Sequence, residues 1–535
     1  MTSIVISLFI QLLQLLSHPL TLTPLAISII FYCAWNFFFH PLAKIPGPLS
    51  ARLGIPTFRS LSARSNTYSW NHKALHDKYG DVVRLGPGIV TTTDPEAIRT
   101  IYAYGSNFHK TKFYSVFAAI MSKPSLFSNI NPHSHASGRR SVARVYSMKS
   151  LIELEEYVGP CVQQLLEQFD RLASVTGEKT THRPVEINKW LHYFAADTIG
   201  ELAFGCGFGL LQSGQDASSL LRVFTNLSYF GSISGALPGL VAPLVNAILR
   251  KTSRHSPSVI SPHTWERVNK RYKLLAEAPY DEPVRRDMLA GFIKAKYPGT
   301  NTLFLPSDVV AQATSVFGAG SDTTAGALAG FFYYVLTHPT VYGRLQAEVD
   351  SAFEAQRISM PVTYAQGIKL EYLQACIKEA VRLFTPVAME LPRIVPEGGM
   401  TIGKYFLPAG THVGANAYVF HRTEHAYGPD AELFRPERWL HISEEVRATM
   451  ERNFLSFGSG NRICIGKNIP LMEMSKLLPA LLWRYSFSII PRSKDSPHRH
   501  ALGRSVDGIE SKDGPGRVYS HWFLGIDVRF TLPSA

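Results

Sequence analysis

The chain has 535 residues, 45% hydrophobic and 18% charged, with a formal net charge of +13. That balance supports a large core and excludes intrinsic disorder, while the length alone suggests two or more domains. Five scattered cysteines (Cys33, Cys161, Cys206, Cys376 and Cys464) form no CxxC pair, which excludes a disulfide framework and points to a reducing compartment for the main body. The basic residues form no long run, so the positive excess suits an acidic protein partner or an anionic membrane surface, and nucleic acid is not expected as a partner.

Residues 1–43 contain no Lys, Arg, Asp or Glu. Within them Leu20–Phe39 is nearly continuous apolar sequence, about the ~20 residues that a transmembrane helix needs. Tyr32 and Trp35 suit its interfacial end, and Pro19 and Pro24 separate it from the shorter stretch Ile4–Leu16. A cleaved signal peptide would want a basic start and a small-residue cleavage site, and neither is there. The first basic residues, Lys44, Arg52, Arg59 and Arg64, all follow the apolar segment, so the bulk of the chain is expected to stay cytosolic. Lys44-Ile45-Pro46-Gly47-Pro48 reads as a stiff hinge.

Beyond the hinge the pattern is mostly helical with short strand-like pieces. Ala74–Tyr79 belongs to an early helix, and Val82–Leu85 and Ile89–Thr93 read as a hairpin around Gly86-Pro87-Gly88. Leu151–Leu172 is amphipathic, with Gly159-Pro160 expected to kink or split it. Val185–Phe204 is another helical stretch. Phe224–Leu249 is apolar and ends in Arg250-Lys251, which reads either as core or as a second contact with the lipid interface. Asp308–Thr337 reads as one long helix with Ser307 as N-cap. On it Ala319, Asp322 and Thr323 share a face, beside Gly320, which would allow a local opening. A carboxyl and a hydroxyl there suit proton relay, whereas a bland helix hydroxyl merely bonds the carbonyl four residues back. Glu379 and Arg382 are spaced for an ion pair on the helix Tyr372–Phe384. The polar tail Ser493–Val518 reads as a loop, and Trp522–Leu532 as a closing strand.

Phe457-Gly458-Ser459-Gly460-Asn461-Arg462-Ile463-Cys464-Ile465-Gly466 is the most informative run. Its glycines let the backbone approach and turn closely and free N–H groups to tune a sulfur. Arg462 suits a carboxylate, and Phe457 suits the face of a flat ring. A haem with a cysteine ligand fits all of these features.

The run matches the F-x-x-G-x-R-x-C-x-G signature, and the chain resembles the cytochrome P-450 superfamily of haem-thiolate monooxygenases. Ala319 to Thr324 match the superfamily's A/G-G-x-D/E-T-T/S pattern. Phe37 to Pro48 resemble the hinge region of membrane-anchored filamentous-fungal members. The resemblance implies a mostly α fold with a smaller β-rich part, one haem domain over 44–535, and a single N-terminal anchor over 1–43. It implies haem b with Cys464 as axial thiolate, and Asp322 and Thr323 delivering protons. Phe457 and Arg462 would contact the cofactor. His135 and Arg139 match a W-x-x-x-R pattern with His in place of Trp, and together with Arg393 they would bind the haem propionates. Glu379, Arg382 and Arg438 (in Phe434-Arg435-Pro436-Glu437-Arg438-Trp439) would form a buried network. The resemblance further implies electrons from NADPH through a reductase, an apolar small-molecule substrate, an endoplasmic reticulum location and a fungal secondary-metabolite pathway. Arg140, Arg144 and Lys149 read either as a solvated face or as a reductase docking patch. Ser106–Ser128, Val316, Phe317, Thr385–Leu391 and His521–Phe523 would line the substrate pocket. Glu390, an acid among apolar residues, would face solvent or a nearby ion-pair partner, or else orient a polar group of the substrate. A haem-thiolate isomerase or peroxide-using enzyme and a non-catalytic haem-binding protein are the alternatives.

Overall fold

The computed structural model describes residues 19–55, 68–118, 123–174, 185–216, 219–224, 260–277, 285–489 and 527–531. The tail 493–518 and the pocket segment 521–523 lie outside these, as do residues 225–249 of the apolar stretch.

The N-terminal segment is an α-helix, α1 (Pro19–Ala34), continued by a π turn over Trp35–Phe39. Ile30, Phe31, Phe38 and Phe39 on it are exposed. Its end is tied to the body, because the Tyr32 hydroxyl donates to the Gly54 carbonyl at 3.2 Å and Arg84 donates to Asn36 O and Oδ1 at 2.9 and 3.2 Å. Among the described residues no helix is long and apolar enough to cross a membrane. The 16 residues of α1 rise ~24 Å, against a hydrocarbon core of ~30 Å. The expected helix over Leu20–Phe39 is helical throughout its described residues, as α1 and the π turn that continues it, and residues 1–18 lie outside the described residues.

The early helix is α2 (Tyr68–Tyr79). The hairpin forms as expected, β1 (Val82–Gly86) against β2 (Ile89–Thr92). It belongs to a five-stranded sheet of order β1-β2-β8-β5-β3, in which β3 is His109–Lys110, β5 Arg393–Ile394 and β8 His412–Gly414. β2 and β8 are parallel, while β5 runs antiparallel to both β8 and β3. A second sheet joins β4 (Val185–Glu186), β10 (Asp527–Thr531) and β9 (Ser486–Ile489), and β6 (Met400–Ile402) pairs with β7 (Tyr405–Leu407). The expected closing strand is therefore present over Asp527–Thr531, while the rest of Trp522–Leu532 lies outside the described residues.

Helix α3 (Pro132–Val142) starts on Asn131, whose side chain accepts the Ser134 N–H, with Pro132 in the first turn. The expected helix over Leu151–Leu172 is split upstream of Gly159-Pro160. A helix Met148–Glu153 ends in the turn Glu155–Tyr157, and α4 (Val158–Ser174) restarts with Pro160 in its first turn, where no N–H is needed. Helix α5 (Ile187–Phe204) ends on Gly205 at φ 78°. The long helix α6 (Pro306–Thr337) starts earlier than expected, because Pro306 with its preset φ begins it; Leu305, not Ser307, is its N-cap. Helices α7 (Glu371–Leu383) and α8 (Asn468–Arg484) complete the frame. α6 is buried along most of its length within the main apolar cluster, which also takes in the inner faces of α4, α5, α7 and α8. It therefore presents one rigid face to the cavity described next.

Candidate active site

The turn that precedes α8 is built around two glycines in the left-handed region, Gly458 at φ 70° and Gly460 at φ 58°. A Cβ on Gly460 would stand 2.0 Å from the Tyr102 carbonyl oxygen, so only glycine lets the turn sit this deep. The Cys464 N–H donates to the Phe457 carbonyl at 2.8 Å, which locks the loop with its sulfur open to a cavity of about 360 Å³. Although open to the cavity, the thiol lies far from bulk water, and burial raises its pKa. The Gly466 N–H and the charges of Arg139 and Lys467 pull the other way. A coordinated metal ion would complete the deprotonation.

Cys464, Phe457, Arg462, His135, Arg139, Arg393, Asp322 and Thr323, the expected cofactor and proton-delivery residues, all line this one cavity. At one end four cations converge: Lys110, Arg139, Arg393 and Arg462. Arg139 donates to Ile463 O at 2.7 Å, Arg462 to Asn129 O at 2.8 Å, Arg393 to the Tyr114 hydroxyl at 2.7 Å, and Lys110 to Phe127 O at 2.6 Å. Among the described residues no carboxylate lines the cavity beside them. The one acid among the described lining residues is Asp322, on α6. The cost is visible in their titration. Burial, then Arg393 and Arg462, hold the Lys110 pKa well down; burial and the Arg393 charge pull Arg462 to about 10; and burial with four surrounding cations pulls His135 to about 3. Uncompensated cations around a thiol-bearing cavity fit a planar metal cofactor with two carboxylates, since charge-assisted pairs with carboxylates are the strong ones.

Across the cavity stands α6. The Thr323 hydroxyl faces the cavity and donates to the Ala319 carbonyl at 2.7 Å, the bond expected of a bland helix hydroxyl, while its lone pairs stay available. Asp322 is buried and 3.1 Å from His192 Nε2 on α5. Burial lowers the His192 pKa, with Asp322 opposing, so a neutral ring donates its Nε2–H to the carboxylate. Gly320 does not open the helix, which is continuous here. A Cβ on it would meet Ile199 Cγ1 at 3.0 Å, so the glycine instead lets α5 approach α6.

A family model described as Cytochrome P450 matches residues 52–509. The chain belongs to the cytochrome P450 family. It is 34% identical over 472 residues to the cytochrome P450 monooxygenase cicH of Emericella nidulans, covering 85% of this chain and 90% of that one. It is 33% identical over 490 residues to the cytochrome P450 monooxygenase gsfF of Penicillium aethiopicum, with 88% and 93% covered. A further relative is the monooxygenase pkfB of Emericella nidulans, 32% identical over 463 residues, with 84% and 87% covered. The protein is thus an enzyme, a cytochrome P450 monooxygenase whose cofactor is haem bound through a cysteine thiolate.

In this P450 Glu379 is fully buried and accepts five hydrogen bonds, two from Arg382 and one each from Arg438 Nε, Trp439 Nε1 and the Arg435 N–H, at 2.7–3.1 Å. Arg382 continues to the carbonyls of Ala431 and Leu433, and Arg438 to Asp430 Oδ1 at 3.1 Å. Burial pushes the Glu379 carboxyl up, but the two guanidiniums outweigh it and its pKa lies below the ordinary value.

Several pocket expectations shift. Val316 lines the cavity, but Phe317 does not. One residue further round the helix, it turns to α5 and packs on Phe204, Phe208 and Phe224. From Thr385–Leu391 the cavity receives Pro386, Val387, Met389 and Leu391. Glu390 faces neither solvent nor cavity. The extended backbone alternates, so Met389 and Leu391 point in and Glu390 points back. There it is 1% exposed, accepts from the Tyr68 hydroxyl and lies 4.0 Å from His72 Nδ1. Lys110 fell inside the expected pocket segment Ser106–Ser128 without being singled out, and His192 and Glu473 were not read as site residues. An acid within the apolar stretch Ile469–Leu482 was the signal that could have drawn attention to Glu473.

Proposed function

We propose that this P450 inserts one oxygen atom of dioxygen into an apolar small molecule of fungal secondary metabolism, with electrons from NADPH through a reductase. The observation that supports this best is the convergence of the Cys464 thiol, four uncompensated cations and the Thr323 hydroxyl on one cavity. Haem bound there would supply the activation of dioxygen. Cys464 would hold the iron, while Arg139, Arg393, Arg462 and Lys110 would hold the propionates and His135 would stand beside them. Phe457 would cover one ring face. Thr323 would hold a proton at its Oγ1 for the oxygen chemistry, and Asp322, steadied by His192, would resupply it. The exposed side chains of Arg140, Arg144 and Lys149 suit docking of an acidic reductase. The exposed apolar face of α1 and the basic residues after it support anchoring at the endoplasmic reticulum with the catalytic body in the cytosol. Microsomal protease protection of that body would reverse this topology.

The test is substrate-dependent NADPH consumption in the presence of a reductase, with the reduced carbon monoxide spectrum as the check on cysteine ligation. Cys464→Ala is expected to lose the red-shifted thiolate band; keeping it would overturn the assignment. Thr323→Ala is expected to fold and consume NADPH while the ratio of product to NADPH drops and hydrogen peroxide rises, because a positioned proton donor is worth on the order of 10²–10⁴-fold. An unchanged ratio would leave Thr323 with only its Ala319 bond and favour a peroxide-using or isomerase activity.

A further inference from the structure

The cavity face of α6 carries two polar groups that the chemistry above does not use. Gln312 and Ser315 line the cavity and are part-buried. Gln312 precedes Thr323 by just over three turns, so the two side chains share a face at ~16 Å along the axis; Ser315 precedes it by ~12 Å. Thr314 and Thr323 in the same helix donate to carbonyls four residues back, at 2.8 and 2.7 Å. Ser315 makes no such bond, and neither it nor Gln312 has a hydrogen-bond partner among the described residues. The nearby charges are already engaged, because Asp308, one turn before Gln312, accepts from the Tyr297 hydroxyl and pairs with Lys123 at 2.6 Å. Phe117, Phe224, Val316, Val387 and Met389 supply an apolar lining.

We propose that Gln312 and Ser315 form a recognition subsite for one uncharged hydrogen-bonding oxygen at the end of the substrate remote from the oxidised carbon. The inference rests on the monooxygenase reading and narrows its substrate class to an elongated apolar skeleton, whose hydroxyl or carbonyl oxygen lies apart from the reacting carbon by a span on the order of the ~12–16 Å that separate Ser315 and Gln312 from Thr323 along α6, less the reach of the side chains. The amide and the hydroxyl each donate and accept, so either kind of oxygen is served. Among the described residues a carboxylate would find no free cation here, and an ammonium no free carboxylate. A fully apolar ligand would leave both groups desolvated without a partner, which carries a cost.

The experiment titrates the haem-loaded full-length protein with dodecane and with dodecanol, following the Soret shift, in wild type and in Q312L/S315A. Comparing each probe between the two proteins cancels the difference in hydration of the probes. The double variant is expected to bind dodecanol ~3–10-fold more weakly and to bind dodecane as well as wild type or better. Equal loss for both probes, unchanged dodecanol affinity, or no binding of either probe to wild type would overturn the subsite. If the double variant does not load haem, Ser315→Ala, which removes one atom, carries the same comparison. The titration needs no turnover. Loss of the subsite with intact NADPH-dependent oxygenation therefore sinks this inference alone, whereas an intact preference without oxygenation sinks the reading beneath it.

Discussion

Two buried glutamates on packed helices, Glu379 on α7 and Glu473 on α8, are treated by the fold in opposite ways. Both are 1% exposed or less. Glu379 takes five donors, two of its partners are guanidiniums, and its pKa lies below normal. Neither oxygen of Glu473 has a hydrogen-bond partner among the described residues. Burial pushes its pKa up to about 8, and the Thr324 hydroxyl beside it offsets only part of that. The same side chain is thus an anion in one place and a neutral acid in the other. The cause is not depth but the presence of cations in the right plane. Burial taxes the charged form in both cases, and only Glu379 has the compensation.

The largest expected effect comes from breaking the compensated site. Glu379→Ala leaves Arg382 and Arg438 buried without their anion, and removing one partner of a buried pair costs about 3–5 kcal/mol. Thermal unfolding and haem-loaded yield should both fall sharply; a loss within the scatter of surface variants would show that the backbone carbonyls alone hold the arginines. Next comes the pH dependence. The stability tied to the raised Glu473 pKa is fully present below the ordinary carboxyl value and is lost as pH rises through about 8. Urea midpoints should therefore fall steadily from mildly acid pH up to about 8 and level off above it, and Glu473→Gln should flatten that fall. At acid pH the sign reverses for Glu379. Its contribution is present above the ordinary value and lost as pH falls through its depressed pKa, so an acid limb should persist in Glu473→Gln. Last comes Glu473→Gln at neutral pH. The amide need not take up the proton that Glu473 must bind on folding between the ordinary carboxyl value and about 8, so the variant should gain stability there; an unchanged urea midpoint at pH 7 would show that the carboxyl folds ionised.

Much of the site was legible because its chemistry is local in sequence. The run Phe457–Gly466 carries the cysteine, its turn glycines and one propionate-type arginine within ten residues, and Asp322 and Thr323 are adjacent on one helix. Periodicity likewise fixed α6, α7 and the β1–β2 hairpin to within a few residues. What the sequence concealed depends on contacts between distant segments. Lys110 sits in a two-residue strand with no motif around it, and His192 meets Asp322 only because α5 crosses α6. Glu390 looked like a pocket or surface acid until strand alternation turned it toward Tyr68 and His72. Gly320 looked like a helix opening until Ile199 occupied the space. Phe317 shows the limit of mapping segments onto a pocket, because one step around a helix exchanges cavity for core.

Lys110 and Arg393 are also direct cross-strand partners, Lys110 on β3 facing Arg393 on β5 at the margin of the five-stranded sheet. Like charges set opposite each other weaken a ladder, and a strand of two residues has little else to resist with. A dianion seated between these side chains reverses the sign of that contribution. By thermodynamic linkage, whatever affinity the pair lends to such a ligand returns as cohesion of the strand. Edge pairing and cofactor retention are then two readings of one equilibrium, and amide exchange along His109–Lys110 becomes a gauge of how fully a preparation is loaded.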